Sequence, residues 1–121
     1  MKDNNLRDKS FLFAIRIVNL SKYLIAEKKE YILSKQVIRS GTCVGGMIRE
    51  AEHSESKNDF IHKLAIAQKE INETIYWLEL LLATDYLNKE QFESINYEAI
   101  ELIKILTTII KNTKAKLTTN N

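Results

Sequence analysis

From Phe60 to Leu82 the chain returns an apolar side chain at helical spacing for about six turns, with nothing inside the run that would stop a helix. Phe60, Leu64, Ala67, Ile71, Leu78 and Leu81 fall on one stripe, and Ile61, Ala65, Ile75 and Leu82 widen it. A rod with one long apolar side cannot bury that side alone, so other segments must cover it. The stretch before it, Gln36 to His53, has the same period and holds all 3 glycines. A polar turn at Ser54–Lys57 separates the two, which therefore read as an antiparallel helical hairpin.

With no proline anywhere, the pattern extends in both directions. A first helix is expected over about residues 7–26, with Phe11, Ala14, Ile15, Val18 and Ile25 on one face and Phe13, Ile17, Leu20 and Leu24 on the next. The cluster Glu27–Glu30 reads as a turn. Helices at about 31–53 and 57–83 follow, the former turning Leu33, Val37, Val44, Met47, Ile48 and Ala51 inward. After a connection at Asp85–Asn88, a fourth helix at about 89–116 buries Phe92, Ile95, Ala99, Leu102, Leu106, Ile109 and Ile110. Asn88 followed by Gln91 is the pattern of a helix start, the side chain accepting from an early backbone N–H.

Register offers a test, because facing residues in an antiparallel pair share a nearly constant sum of numbers. Leu33 with Leu78, Val44 with Ala67 and Ala51 with Phe60 all sum to 111. Leu78 with Ile95, Ile71 with Leu102 and Leu64 with Ile109 sum to 173, and Leu24 with Leu33 and Leu20 with Val37 to 57. Three short-looped hairpins in consistent register predict an all-α fold, an antiparallel up-down-up-down four-helix bundle, with the 121 residues forming one domain. Within it, Ser40, Gly41 and Gly45 strip side-chain bulk from one side of the second helix. Each helical glycine costs roughly 1 kcal/mol against alanine, so close approach of another helix is the expected return.

Several chemistries find no support. Glu50 and His53 form an ExxH unit, but a di-iron bundle needs two such units plus two more carboxylates, and no carboxylate stands at that spacing before His62. No metal or cofactor is expected, nor a small-molecule substrate. Cys43, the single cysteine, has no histidine within reach by the register and suits a reducing compartment. Gly45-Gly46 lacks the strand before it and the Gly-Lys-Ser/Thr ending of a phosphate loop. The charged start shows no secretory leader, and Glu79 interrupts the best apolar run. A cytoplasmic protein with no membrane partner is expected.

The charges carry more. Register sets Arg39 opposite Glu73 and Glu50 opposite Lys63, so these are expected to be structural ion pairs that fix how the second and third helices slide. Ile66, Tyr76, Trp77 and Leu80 lie off the main stripe of the third helix, as do Phe13 and Tyr23 on the first. Large residues outside the core stripe suggest a homo-oligomer interface. Net charge is only +2, yet residues 1–63 hold 12 Lys+Arg against 8 Asp+Glu. In the predicted topology one end gathers Arg7, Lys9, Arg16, Arg49, Lys57, Lys111 and Lys114, which could sit on nucleic-acid phosphates. The plainer reading is that the lysines after 110 complement the dipole of the fourth helix.

Arg39-Ser40-Gly41-Thr42, Val44-Gly45, Arg49-Glu50-Ala51, Phe60-Ile61-His62-Lys63 and Glu73-Thr74 with Tyr76–Leu81 resemble the bacterial four-helix-bundle family encoded in intervening sequences of 23S ribosomal RNA genes. With Glu98 and Glu101-Leu102 the resemblance covers nearly the whole chain. It implies a cytoplasmic bundle similar to the pentameric accessory protein of diversity-generating retroelements, which binds nucleic acid and a reverse transcriptase. Where the family has Ser and then Ala-Asn, this chain has Cys43, Gly46 and Met47. Loss of that asparagine replaces a polar position with packing. The resulting expectation is a non-enzymatic, pentameric scaffold that binds RNA, DNA or a nucleic-acid-bound partner through its basic end. The alternative is a protein-interaction module without nucleic-acid binding, and an enzyme is the reading the residues favour least.

Overall fold

The computed structural model describes residues 2–119, with side chains from 5 to 118. Four helices follow one another: α1 (Lys2–Lys28), α2 (Leu33–Ala51), α3 (Lys57–Ala83) and α4 (Lys89–Thr119). Each packs against the next and α4 closes onto α1, the sparsest of the four seams, while diagonal pairs do not meet. This is the up-down-up-down bundle that the apolar periods and short connections require. The core runs along the axis as Phe13, Ile17 and Leu24 from α1, Val37 and Val44 from α2, Leu64, Ile71 and Leu78 from α3, and Ala99, Leu102 and Leu106 from α4.

The termini of the helices show why the chain turns where it does. Asp85 takes a positive φ of 67° after α3. The Tyr86 N–H then donates to the Leu81 carbonyl (2.9 Å) and the Asp85 N–H to that of Leu82 (3.2 Å), a Schellman end. α4 opens on a reciprocal capping box: the Gln91 N–H donates to Asn88 Oδ1 (2.8 Å) and the Asn88 N–H to Gln91 Oε1 (2.9 Å). Ser56 caps α3 by accepting from the Asp59 N–H at 3.0 Å.

α2 is shorter at both ends than its apolar period suggests, and Glu30 is the reason at the first. Lys29 turns the chain with φ 54°. The buried Glu30 carboxylate then accepts from the N–H groups of Ile32 (3.2 Å), Leu33 (3.0 Å) and Ser34 (2.8 Å). Three otherwise orphaned donors at the start of α2 are thereby satisfied. α1 and α4, in contrast, run several residues beyond the expected ends.

α1 corrects one reading of its faces. Its buried positions are Leu6, Ser10, Phe13, Ile17, Ser21 and Leu24, whereas Phe11, Ile15 and Ile25 point outward. Ser10 takes a core position where the facing helix comes close. A Cβ on Gly41 would lie 2.8 Å from Ile17 Cγ1 and Cγ2, and one on Gly45 would lie 3.5 Å from the Ser10 carbonyl oxygen. The α1–α2 approach thus accounts for two glycines, whereas a Cβ on Gly46 would meet nothing within 4 Å.

Candidate interaction surface

The α2–α3 seam carries the most organised polar chemistry. Arg39 reaches across it to pair with Glu73, and its Nη1 lies 3.4 Å from Glu70 Oε1. The Trp77 indole N–H also donates to Glu73 Oε2, at 3.2 Å. That indole bond first, and Arg39 second, hold the Glu73 carboxyl below the ordinary carboxylate range. Arg39 is itself raised, chiefly by its bond to Glu73. Further along the seam Lys63 Nζ donates to Glu50 Oε1 at 3.0 Å, and that bond with the Glu50 charge raises the lysine.

Beneath these pairs lies a polar contact that the apolar pattern does not announce. The fully buried Thr74 hydroxyl lies 2.9 Å from Ser40 Oγ and 2.8 Å from the Glu70 carbonyl oxygen, so both hydroxyls find partners inside the core. Cys43 sits on the same seam, where burial pushes its thiol up. A protonated thiol is a poor nucleophile, and among the described residues no group of three or more His, Cys, Asp and Glu comes together as a metal would need. Glu50 of the ExxH unit is turned to Lys63, and His53 lies beyond the end of α2. Nothing in this seam converges on a space where a substrate could react.

The basic side chains expected to gather at one end are largely engaged within the chain. Arg7 Nε lies 3.3 Å from Glu52, Lys9 Nζ lies 3.3 Å from Glu101, and Arg16 donates to Glu98 at 2.8 Å and to the Ser94 carbonyl at 3.1 Å. Arg49 lies over the Phe11 ring, 5.4 Å from its centroid. Lys57, Lys111 and Lys114 remain exposed. Carboxylates remote in sequence, Glu98 and Glu101 above all, claim the α1 cations across the α1–α4 seam.

The apolar surface is redistributed as well. Phe13 is fully buried and belongs to the core, so it is not an interface residue. Tyr23, Ile66, Trp77 and Leu80 are half-buried, Tyr23 and Trp77 packing on the core; Tyr76 stands out with its ring against Trp77, centroids 5.0 Å apart. Other large outward apolar side chains are ones that the residue pattern set on another face or did not single out. Leu12 (59% exposed), Ile15 (42%) and Tyr97 (72%) line one groove along the α1–α4 seam, with Phe11 beside it on α1. Apart from Arg16, the run Phe11–Val18 is apolar on every side, so period alone could not say which residues face in. The spacing of Leu6, Ser10, Phe13, Ile17, Ser21 and Leu24 by threes and fours was the available signal, hidden by its serines.

The structure is similar to the crystal structure of a protein of unknown function from the S23 ribosomal protein family of Bacteroides thetaiotaomicron, with a TM-score of 0.90. The two are 58% identical over 92% of this chain and 99% of that one. None of the curated proteins matches the sequence. Residues 2–108 match the model of the 23S rRNA-intervening sequence protein family, and the chain belongs to that family.

Proposed function

We propose that this protein is a non-enzymatic building block that assembles with copies of itself into a helical scaffold. The observation that carries the reading is the outward apolar surface of α1 and α4, where Leu12, Ile15 and Tyr97 share one groove in water. Leu12, Ile15 and Tyr97 lie there beside the Lys9–Glu101 and Arg16–Glu98 pairs that line the same groove, and large apolar side chains left open on a small chain support a surface that a second copy covers. Neither the family description nor that of the Bacteroides protein names an enzymatic activity. The polar seam between α2 and α3 serves to hold the subunit's shape, with each charge answered from the facing helix.

Nucleic-acid binding is the second reading, and three exposed lysines favour it: Lys57, Lys111 and Lys114 stand at the end of the bundle where α3 begins and α4 finishes. An assembly would repeat them in every copy, bringing the pentamer implied by the family resemblance to fifteen. Two measurements separate the readings. Light scattering should show the Leu12→Glu/Ile15→Glu variant falling to the 14.1 kDa of one chain with its helical circular dichroism kept, and a variant that assembles like the parent sinks the scaffold reading. RNA retention that weakens steeply with salt, and is lost when the three lysines become glutamate, would put the nucleic-acid reading beside it.

A further inference from the structure

The two ends of the core close differently. Where α3 turns into α4, the Leu87 N–H donates to the Leu81 carbonyl at 3.2 Å, and the Leu87 side chain is buried at the end that also buries Leu24 and Leu81. That end is plugged by its own connection. At the other end the turn between α2 and α3 brings Glu52, His53, Ser54, Glu55 and Ser56, and no apolar side chain among them. The last residue of α2 before that turn is Ala51, which is buried but fills little space.

The space left there is a cavity of about 290 Å³. All four helices wall it: Leu6 from α1, Ile48 and Ala51 from α2, Phe60 and Leu64 from α3, and Ile109 from α4. Leu6, Ile48, Ala51 and Leu64 are buried side chains of the core itself. An apolar cavity of about 150 Å³ already holds benzene, so this one has room for two fused rings. Apolar pockets between the helices of a bundle are a usual place for a ligand, and the Phe60 ring offers an aromatic wall. The polar part of the lining is small. Glu52, its one charged group, is answered by Arg7 Nε at 3.3 Å. Ser54 spends both its hydroxyl (2.8 Å) and its N–H (3.2 Å) on the Ala51 carbonyl. What these two residues still offer a ligand is oxygen acceptors. An anion would meet the Glu52 charge, and a cation would have to compete with Arg7.

We propose that this cavity is a binding site for a neutral one- or two-ring aromatic compound with a single N–H or O–H group, of the indole or phenol class. The rings take the place of the plug that the α2–α3 turn does not supply, and the donor reaches Ser54 Oγ or the Glu52 carboxylate at the mouth. The site lies inside one chain, so its occupancy does not depend on self-assembly.

Titration of the isotopically labelled chain with indole, followed through its methyl resonances, tests the site. Shifts should saturate and centre on Leu6, Ile48, Ala51, Leu64 and Ile109, with Leu24, Leu81 and Leu87 at the plugged end unmoved. Ala51→Leu adds bulk to the cavity; it should keep the helical circular dichroism and bind indole at least about tenfold more weakly. If Ala51→Leu does not fold, Ile109→Phe, at a position only half-buried in the parent, replaces it. Indole-3-carboxylate, the same rings with a negative charge, should also bind at least about tenfold more weakly than indole. No saturable shift up to the solubility of indole, shifts spread evenly over the core, or undiminished binding by the folded filled variant overturns the site. A carboxylate that binds as tightly as indole overturns the neutral ligand class.

Discussion

The three glycines of α2 allow one substitution to be tried at three places with three different outcomes. Glycine to alanine inside a helix gains about 1 kcal/mol from backbone entropy alone. At Gly46 nothing opposes that gain, since the new methyl meets no atom within 4 Å, and Gly46→Ala should stabilise by roughly 1 kcal/mol. At Gly45 the methyl would lie at 3.5 Å from the Ser10 carbonyl oxygen, an ordinary contact, so about 0.5–1 kcal/mol of the gain should survive. Gly41 is opposed: its methyl would sit at 2.8 Å from both γ carbons of Ile17. Ile17 is fully buried and, being β-branched, has essentially one helical rotamer, so it cannot swing aside. Overpacking of that kind costs about 1–3 kcal/mol, and Gly41→Ala should lose the whole backbone gain and show a net loss of up to roughly 2 kcal/mol. Urea unfolding followed by circular dichroism at one protein concentration reads all three. In an Ile17→Ala background, where the clash is removed, Gly41→Ala should change sign and stabilise. If Gly41→Ala stabilises the parent as Gly46→Ala does, the close α1–α2 approach is wrong.

Other substitutions probe the polar contacts. Glu30→Ala strands three N–H groups at the start of α2, where no other side chain caps. It should cost about 2 kcal/mol, with Glu30→Gln recovering part; a loss within error would remove the cap from the account of α2. Arg39→Met should leave a folded protein whose α2–α3 register is looser, seen as faster amide exchange around Glu70 and Glu73, and unchanged exchange would deny the pair that role. The depressed Glu73 carboxyl stabilises the fold above the ordinary carboxylate pKa of about 4.3 and loses that contribution as pH falls through its own lower value. Glu73→Gln should therefore flatten the acid limb of the stability curve, and an identical limb would refute the linkage.

The parts of the fold that sequence could yield were those with one-sided pattern. α3 and α4 each carry one dominant apolar stripe, so most of their inward positions and the sums that set their register could be read directly, although Ala65, expected to widen the stripe of α3, lies exposed. Lys63 with Glu50 and Gln68 with Thr107 meet close to the register expected. α1 resisted because it is apolar almost all round, and only burial separates Phe13 and Ile17 from Phe11, Leu12 and Ile15. Glu30 looked like one charge among four in a turn, and nothing local says that a carboxylate will fold back onto three amides. The partners of Lys9 and Arg16 lie more than 80 positions away across the seam that closes the bundle, the contact furthest from any sequence period. Ser40 and Thr74 were missed for a related reason: a buried hydroxyl pair satisfies itself across two helices and leaves no mark in either alone.

Native mass spectrometry of the unaltered chain bears most directly on whether this bundle works as one of many. A self-assembling scaffold should appear at a whole multiple of 14.1 kDa greater than one, and should dissociate when Leu12 and Ile15 carry charge. A single species of 14.1 kDa at every concentration, with Leu12, Ile15 and Tyr97 still open to water, would contradict it.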